Sequence, residues 1–247
     1  MNTDDELLKK RFRELSSRAE NRDIYVFSDF LNMYEQSLLQ SEIRGNFELY
    51  GGHGNFERAV ACFKPSGEAY YEPQVPVKIL RIAPLSDKFA DDLTHRDFLG
   101  SVLALGIKRE TLGDIIICEN RGYLFCLDSV CDYIKENLCK VRHTSVSCEL
   151  CSELPAADEK QPQLKTVNVA SERLDALIAA VYNISRSKSS DLCAGEKVFI
   201  NGRLTVSPSA TLKYGDTVSV RGVGRFVFRQ INGETKKGRL RAEVDVY

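Results

Sequence analysis

The sequence has no run of about 18 apolar residues, the length a membrane-spanning helix needs. Its first segment, MNTDDELLKKRFRELSS, lacks the apolar stretch of an export signal. No Gly-Lys-Ser/Thr follows a glycine cluster, so a P-loop is not expected. There are only three histidines, His53, His95 and His143, and they form no ligand motif. Cysteines meet metal-like spacing once, at Cys148 and Cys151 in CELC, whereas a structural zinc needs a second pair or nearby histidines. No Ser/His/Asp or Cys/His set marks a nucleophile with its base. These absences lead us to expect a soluble cytoplasmic protein with no membrane contact, metal, cofactor or enzymatic activity. The eight cysteines sit mostly inside apolar runs such as DIIICEN and GYLFCLD, as reduced, core-filling thiols.

What the chain does have is segregated charge. Its 247 residues carry a net charge of −1, yet residues 165–247 hold 14 Lys and Arg against 8 Asp and Glu, a net +6. The preceding 164 residues carry −7. A basic C-terminal third on an acidic body points that third at a polyanion. With 43% hydrophobic residues the chain can bury real cores, and its length suits two or three domains.

Along the chain, residues 5–20 predict an amphipathic helix. A second helix is expected over 28–44, opened by Ser28-Asp29 and closed by Gly45, with Phe30, Leu31, Tyr34, Leu38 and Leu39 on its core face. Gly51, Gly52 and Gly54 in NFELYGGHGNFERAVACFKP suggest a tight turn between extended pieces. From residue 74 to 151 the pattern becomes strand VPVKILRIAPL, helix HRDFLGSVLALG, a hairpin DIIICEN and YLFCLD turning at Arg121-Gly122, helix SVCDYIKENLCKV, and strand HTSVSCEL. That βαββαβ order is the ferredoxin-like split unit that RNA-recognition domains also use. On its middle strands Tyr123 and Phe125 could stack bases, and Lys108 and Arg109 in GIKRETLGD could touch phosphate. Residues 152–164, SELPAADEKQPQL, are polar, acidic and proline-containing, and predict a linker between the first two domains (1–73 and 74–151) and a third over 165–247.

In that third domain KTVNVA predicts a strand leading to helix SERLDALIAAVYN, with Ser171 as N-cap and Leu174, Leu177, Ile178 and Val181 as its buried stripe. Ser185 caps a second helix, ended by Gly195, that opens Ser-Arg-Ser-Lys. KVFING, DTVSVRG, RFVFRQI and LRAEVDV follow as strands, with Asn201-Gly202 and Asn232-Gly233 as turns. Cations at a helix N-terminus, among unpaired N–H groups, make a place for phosphate. Arg173, Ser185, Arg186, Lys188 and Arg203 are expected on one RNA-binding face. Arg221, Arg225, Arg229, Lys236 and Lys237 extend it along the tail. Strand alternation places Arg225, Val227 and Arg229 outward, with Phe226 and Phe228 inward.

The motifs RLDALI, SRSK..DL, KVFING and LKYGDTVSVRG, in that order, resemble the S-four-type alpha-L RNA-binding domain. Ser189 stands where that domain usually has alanine, and Asp191 where a basic residue is frequent. Together with YGGHGNFERAVACFKP, HRDFLGSVLALGIKRETLGDI and RGVGRFVFRQINGETKKGRLR, the whole chain is similar to the bacterial YlmH family. The resemblance implies an α+β protein with a helical N-terminal part, a ferredoxin-like middle domain and an S-four-type domain. It further implies a monomer that binds structured rRNA and tRNA on the ribosome, at the large subunit carrying stalled peptidyl-tRNA, in quality control.

Two other functions stay open at this point. RLD also surrounds the catalytic aspartate of pseudouridine synthases, which would make Asp175 a nucleophile. Against this, Glu172 replaces the glycine expected before Arg173, and only 72 residues follow Asp175, so Asp175 is expected to pair with Arg173 or to cap locally. A cell-division-linked protein scaffold would instead use the acidic body as its surface.

Overall fold

The computed structural model describes residues 3–54, 56–67, 71–155, 162–236 and 238–247. The chain divides into two compact units, Met1–Ala157 and Asp158–Tyr247. The boundary expected at residue 73/74 falls inside the first.

That unit opens with helix α1 (Thr3–Arg22), strand β1 (Val26–Leu31), helix α2 (Met33–Glu42) and strands β2 (Phe47–Tyr50) and β3 (Ala59–Phe63). Here the expected second helix is corrected. Ser28 and Asp29 lie in β1, where the Ser28 hydroxyl donates to the Asp29 carbonyl and accepts from the Ala61 amide. The helix starts later, capped by Asn32, whose side chain accepts from the amides of Tyr34 and Glu35 while the Asn32 amide donates back to the Glu35 carboxylate. The N-terminal part is therefore not purely helical: it holds a three-stranded antiparallel sheet of order β1-β3-β2.

Strand β4 (Val77–Pro84), helix α3 (His95–Leu103), strands β5 (Leu112–Cys118) and β6 (Arg121–Leu127), helix α4 (Asp128–Asn137), the short β7 (Lys140–Val141) and β8 (Thr144–Cys151) follow. They form an antiparallel sheet of order β5-β6-β4-β8-β7. The β5–β6 hairpin turns at Glu119-Asn120, both left-handed with φ of 47° and 61°, and not at Arg121-Gly122. Gly122 instead makes room for a neighbouring ring, since a Cβ there would lie 2.8 Å from Phe98 of α3.

Burial sorts this unit into layers. Phe12, Leu15 and Ala19 of α1 pack with Leu39 of α2 on Ala61 and Phe63. The other face of the small sheet gives Phe30 and Val60 to Phe125 and Leu127 of β6. Beyond the larger sheet, Leu80, Ile82, Leu124 and Cys126 meet Phe98 and Val102 of α3 and Cys131 and Ile134 of α4. The small sheet thus covers the face of the larger one that would otherwise lie open.

The second unit runs β9 (Gln163–Val169), α5 (Leu174–Val181), α6 (Arg186–Ala194), β10 (Val198–Ile200), β11 (Arg203–Leu204), β12 (Thr217–Val220), β13 (Gly224–Glu234) and β14 (Leu240–Val246). Of the expected linker, residues 156–161 lie outside the described residues and Gln163 already belongs to β9. One antiparallel sheet has the order β11-β10-β12-β13-β14-β9. Leu174, Leu177, Ile178 and Val181 of α5 pack on Val218, Phe226, Phe228 and Val244, so both helices cover one sheet face. Arg173, not Ser171, is the N-cap of α5, and Ser185 caps α6 by accepting from the Lys188 amide at 3.1 Å. Asn201-Gly202 makes the β10–β11 turn, with φ of 49° and 76°. Asn232-Gly233 does not turn the chain: it lies within β13 at a register shift, and the hairpin closes at 235–239, where the Thr235 amide donates to the Arg239 carbonyl. Among the described residues no helix is long and apolar enough to cross a membrane.

Candidate nucleic-acid interface

The candidate interface centres on the starts of α5 and α6. Asp175, in the first turn of α5, is buried, with 5% of its side chain exposed. Arg173 Nε and Nη2 donate to its two carboxylate oxygens at 3.0 and 3.3 Å. From α6, Arg186 Nη2 donates to the same oxygens at 3.2 and 3.0 Å. Burial raises the Asp175 pKa, but the two guanidinia outweigh it and hold the carboxyl below its ordinary value. Both arginines remain about half exposed, at 43% and 51%. One buried carboxylate therefore fixes two guanidinium planes from two helices, each with N–H groups left for an outside acceptor.

Lys188 stands exposed in the first turn of α6, and no acidic residue shares that turn. Arg203 in β11 pairs with Ile200, which pairs with Val218, which pairs with the buried Phe226. Cross-strand partners point to one side of a sheet, so Arg203 lies on the helix side with Arg173, Arg186 and Lys188.

The tail arginines belong to the opposite side. Phe226 and Phe228 are buried, and Arg225 and Arg229 face outward, as alternation predicts. Arg225 lies over the Tyr247 ring at 4.4 Å and Arg221 over the Phe199 ring at 4.7 Å. Arg229 forms an ion pair with the buried Asp245 and hydrogen-bonds the Tyr214 hydroxyl, contacts that raise its pKa. The residues expected on one continuous surface are thus divided between two faces. Lys236 is exposed at the β13–β14 tip, and Lys237 lies outside the described residues.

In the first unit the expected contacts are largely overturned. Tyr123 is 7% exposed and Phe125 fully buried, the latter packed against Phe30 and Val60 of the small sheet. A Cβ on Gly52, whose φ is +87°, would sit 2.3 Å from the Phe125 ring. That close approach is why position 52 is a glycine. Arg109 is turned inward, donating to the carbonyls of Leu112 at 2.7 Å and Gly113 at 3.2 Å. Burial and the neighbouring Arg58 push its pKa down to about 10. Arg58 itself spans the two sheets, donating to the Phe30, Leu112 and Arg109 carbonyls. Of the two cations expected on that loop, Lys108 alone stands exposed.

The eight cysteines are free thiols. Burial pushes those of Cys62 and Cys148 up to about 11, which leaves them protonated and unreactive. Among the described residues no group of three or more His, Cys, Asp or Glu could hold a metal ion.

The expected pairing of Asp175 with Arg173 is present, but sequence reasoning missed three features: Arg186 as a second partner of Asp175, Asp245 as the partner of Arg229, and Phe199 and Tyr247 under Arg221 and Arg225. A signal existed for Asp245, an acid alternating with Val244 and Val246 opposite a strand of arginines. None existed for the ring contacts, which depend on the pairing of distant strands.

Among the described residues the chain is a mixed α/β protein of three antiparallel sheets, with its net positive charge on residues 165–247. Residues 75–153 match the family model described as "Putative RNA-binding domain in YlmH". The chain is 30% identical over 222 residues to the Ribosome-associated protein quality control protein P2 of Bacillus subtilis (strain 168), covering 87% of this chain and 84% of that one. The chain belongs to the YlmH family. Its fold also resembles that of the structure described as "Cell division protein ylmH from Streptococcus pneumoniae", with a TM-score of 0.50 and 22% identity over 64% of this chain and 96% of the other.

Proposed function

We propose that the chain is a non-enzymatic, cytoplasmic RNA-binding protein that acts on the ribosome as a monomer. Its middle domain is ferredoxin-like, and its C-terminal unit is an S-four-type domain that grips structured rRNA and tRNA through phosphates. The observation that carries this is the pair Arg173 and Arg186, held together on the buried Asp175 beside the N-terminus of α6. Cations at a helix N-terminus oppose the helix dipole, at a cost of about a few tenths of a kcal/mol, and a bound phosphate reverses the sign. Phosphate contacts suit structured RNA, which is recognised largely by shape and backbone. The Bacillus subtilis relative's name, a ribosome-associated quality control protein, supports the ribosome as the place of action. On that basis the large subunit with stalled peptidyl-tRNA is the expected target.

A catalytic role for Asp175 is disfavoured by its surroundings: both oxygens are engaged by arginines and the side chain is buried. The test is co-sedimentation of the full chain with ribosomes at physiological salt, competed by protein-free rRNA. Wild type should pellet and be released by rRNA, and the Arg173→Ala, Arg186→Ala double variant should stay in the supernatant. Equal pelleting of both proteins would refute the assignment.

A further inference from the structure

The loop between β4 and α3 carries two apolar side chains into solvent. Phe89 is 79% exposed and Leu85 68%. Among the described residues Phe89 is the most exposed large hydrophobic residue and Leu85 the most exposed aliphatic one. Apolar residues scattered singly on a surface are ordinary. These two instead bracket one short 3-10 turn (Asp87–Phe89), with Leu85 next to its N-cap Ser86 and Phe89 at its close.

The turn is stapled to the hairpin turns around it. The Leu85 amide donates to the Ser145 carbonyl at 2.9 Å, and the Asp91 amide to the Thr144 hydroxyl at 2.8 Å. Asn120, in the β5–β6 turn, donates to the Asp91 carbonyl and accepts from the Leu93 amide, both at 2.8 Å. Arg121 pairs with Asp87 at 3.1 Å. A turn fixed before binding avoids part of the ordering cost that a mobile loop meets on association.

Charge decides which kind of partner fits. Residues 85–97, with the turns at 119–121 and 142–143, contain five Asp and Glu against four Lys and Arg. That lacks the positive excess that draws a phosphate backbone. The carboxylates are also the outward groups: Asp87 and Glu119 are 68% and 83% exposed, whereas their shared partner Arg121 is 24% exposed. Lys88 lies beside the Phe89 ring, 5.4 Å from its centre, and still leaves that residue open to solvent. An apolar centre edged by carboxylates complements an apolar cleft edged by lysines and arginines.

We propose that Leu85 and Phe89 anchor the first unit in such a cleft on a basic ribosomal protein. The proposal rests on the ribosome as the place of action, and it adds a protein partner to the RNA contact of the second unit. A few desolvated anchors of this kind carry most of the binding energy of an interface.

Leu85→Ala with Phe89→Ala in the full chain removes both anchors and no charge, with melting curves to confirm folding. Binding to purified ribosomes, read by pelleting, should weaken at least about tenfold, a loss within reach of two central anchors. Affinity for a free RNA hairpin should stay within about twofold. Unchanged pelleting of the variant would overturn the proposal and leave the ribosome assignment standing, whereas wild type that fails to pellet would refute that assignment itself. An equal loss on the RNA hairpin would place RNA on this loop and also overturn the proposal. Photocrosslinking supplies a readout that does not depend on the alanine variant. The full chain carrying Phe89→p-benzoylphenylalanine, irradiated on purified ribosomes, should become joined to one basic ribosomal protein. Adducts with rRNA, with an acidic protein or with a second copy of the chain would overturn the proposal, as would a pelleted sample without adduct.

Discussion

Replacing Asp175 by Asn separates a positioning role from simple charge neutralisation, because the two predict opposite signs for RNA affinity. The carboxylate accepts four hydrogen bonds from two guanidinia. Hydrogen bonds to charged groups contribute about 1.5–3 kcal/mol, whereas exposed ion pairs contribute about 0.2–1 kcal/mol. The carboxylate is 5% exposed but its partners are 43% and 51% exposed, so water can rehydrate both arginines once they are released. The expected destabilisation is therefore about 1–2 kcal/mol, or about 5–15 °C in melting temperature for a domain of this size. Each released arginine must then be ordered on binding, at about 0.5–1.5 kcal/mol. The variant also gains one positive charge, which by itself strengthens attraction to phosphate. If positioning dominates, Asp175→Asn binds an RNA hairpin about tenfold more weakly despite the extra charge. Filter binding well below the melting point measures this. Equal or tighter binding would refute the positioning role.

The Asp175 pKa lies below its ordinary value of 3.8. Its ion pairs thus stabilise the fold fully above that value and are lost as pH falls through the lower folded one. RNA affinity and melting temperature of the second unit should show no change in the Asp175 contribution from roughly pH 8 to 5, with an acid loss below about pH 4 that Asp175→Asn lacks. Ser189 is fully buried in α6 and its hydroxyl has no partner. Ser189→Ala should raise stability by about 1 kcal/mol in denaturant titration, and a loss would show that the hydroxyl is satisfied. Gly52→Ala places a Cβ 2.3 Å from the Phe125 ring at a φ of +87°. It should destabilise the first unit by about 2–4 kcal/mol, seen as earlier melting, while oligonucleotide binding by the second unit is unchanged.

What could be read from the sequence was what local pattern determines. The α5 stripe, the Ser185 cap and the alternation of Phe226 and Phe228 with arginines each follow from patterns within one element. Misreadings arose where another element decides. Ser28-Asp29 resembles a helix cap, yet Phe30 and Leu31 have strand neighbours in β3 that claim the segment. Gly122 looks like a turn residue, but it is small because Phe98 lies against it. Tyr123 and Phe125 sit where a binding sheet would expose aromatics, and nothing local says that Phe30, Val60 and Gly52 lie over Phe125. Arg109 and Arg186 look equally available in sequence. Carbonyl oxygens of the β5 segment draw the first inward, and a carboxylate on a neighbouring helix holds the second half exposed.

The central claim, that the helix face of the second unit contacts RNA phosphates, is tested most directly by salt dependence. The full chain and its Arg186→Ala, Lys188→Ala variant would be titrated against a fixed RNA hairpin over a range of KCl concentrations. Each lost phosphate contact flattens the plot of log affinity against log salt by about one unit. Phosphate binding by both side chains predicts a slope shallower by about two, with a uniform loss across hairpin sequences. An unchanged slope would mean that neither Arg186 nor Lys188 touches a phosphate, and would contradict the account.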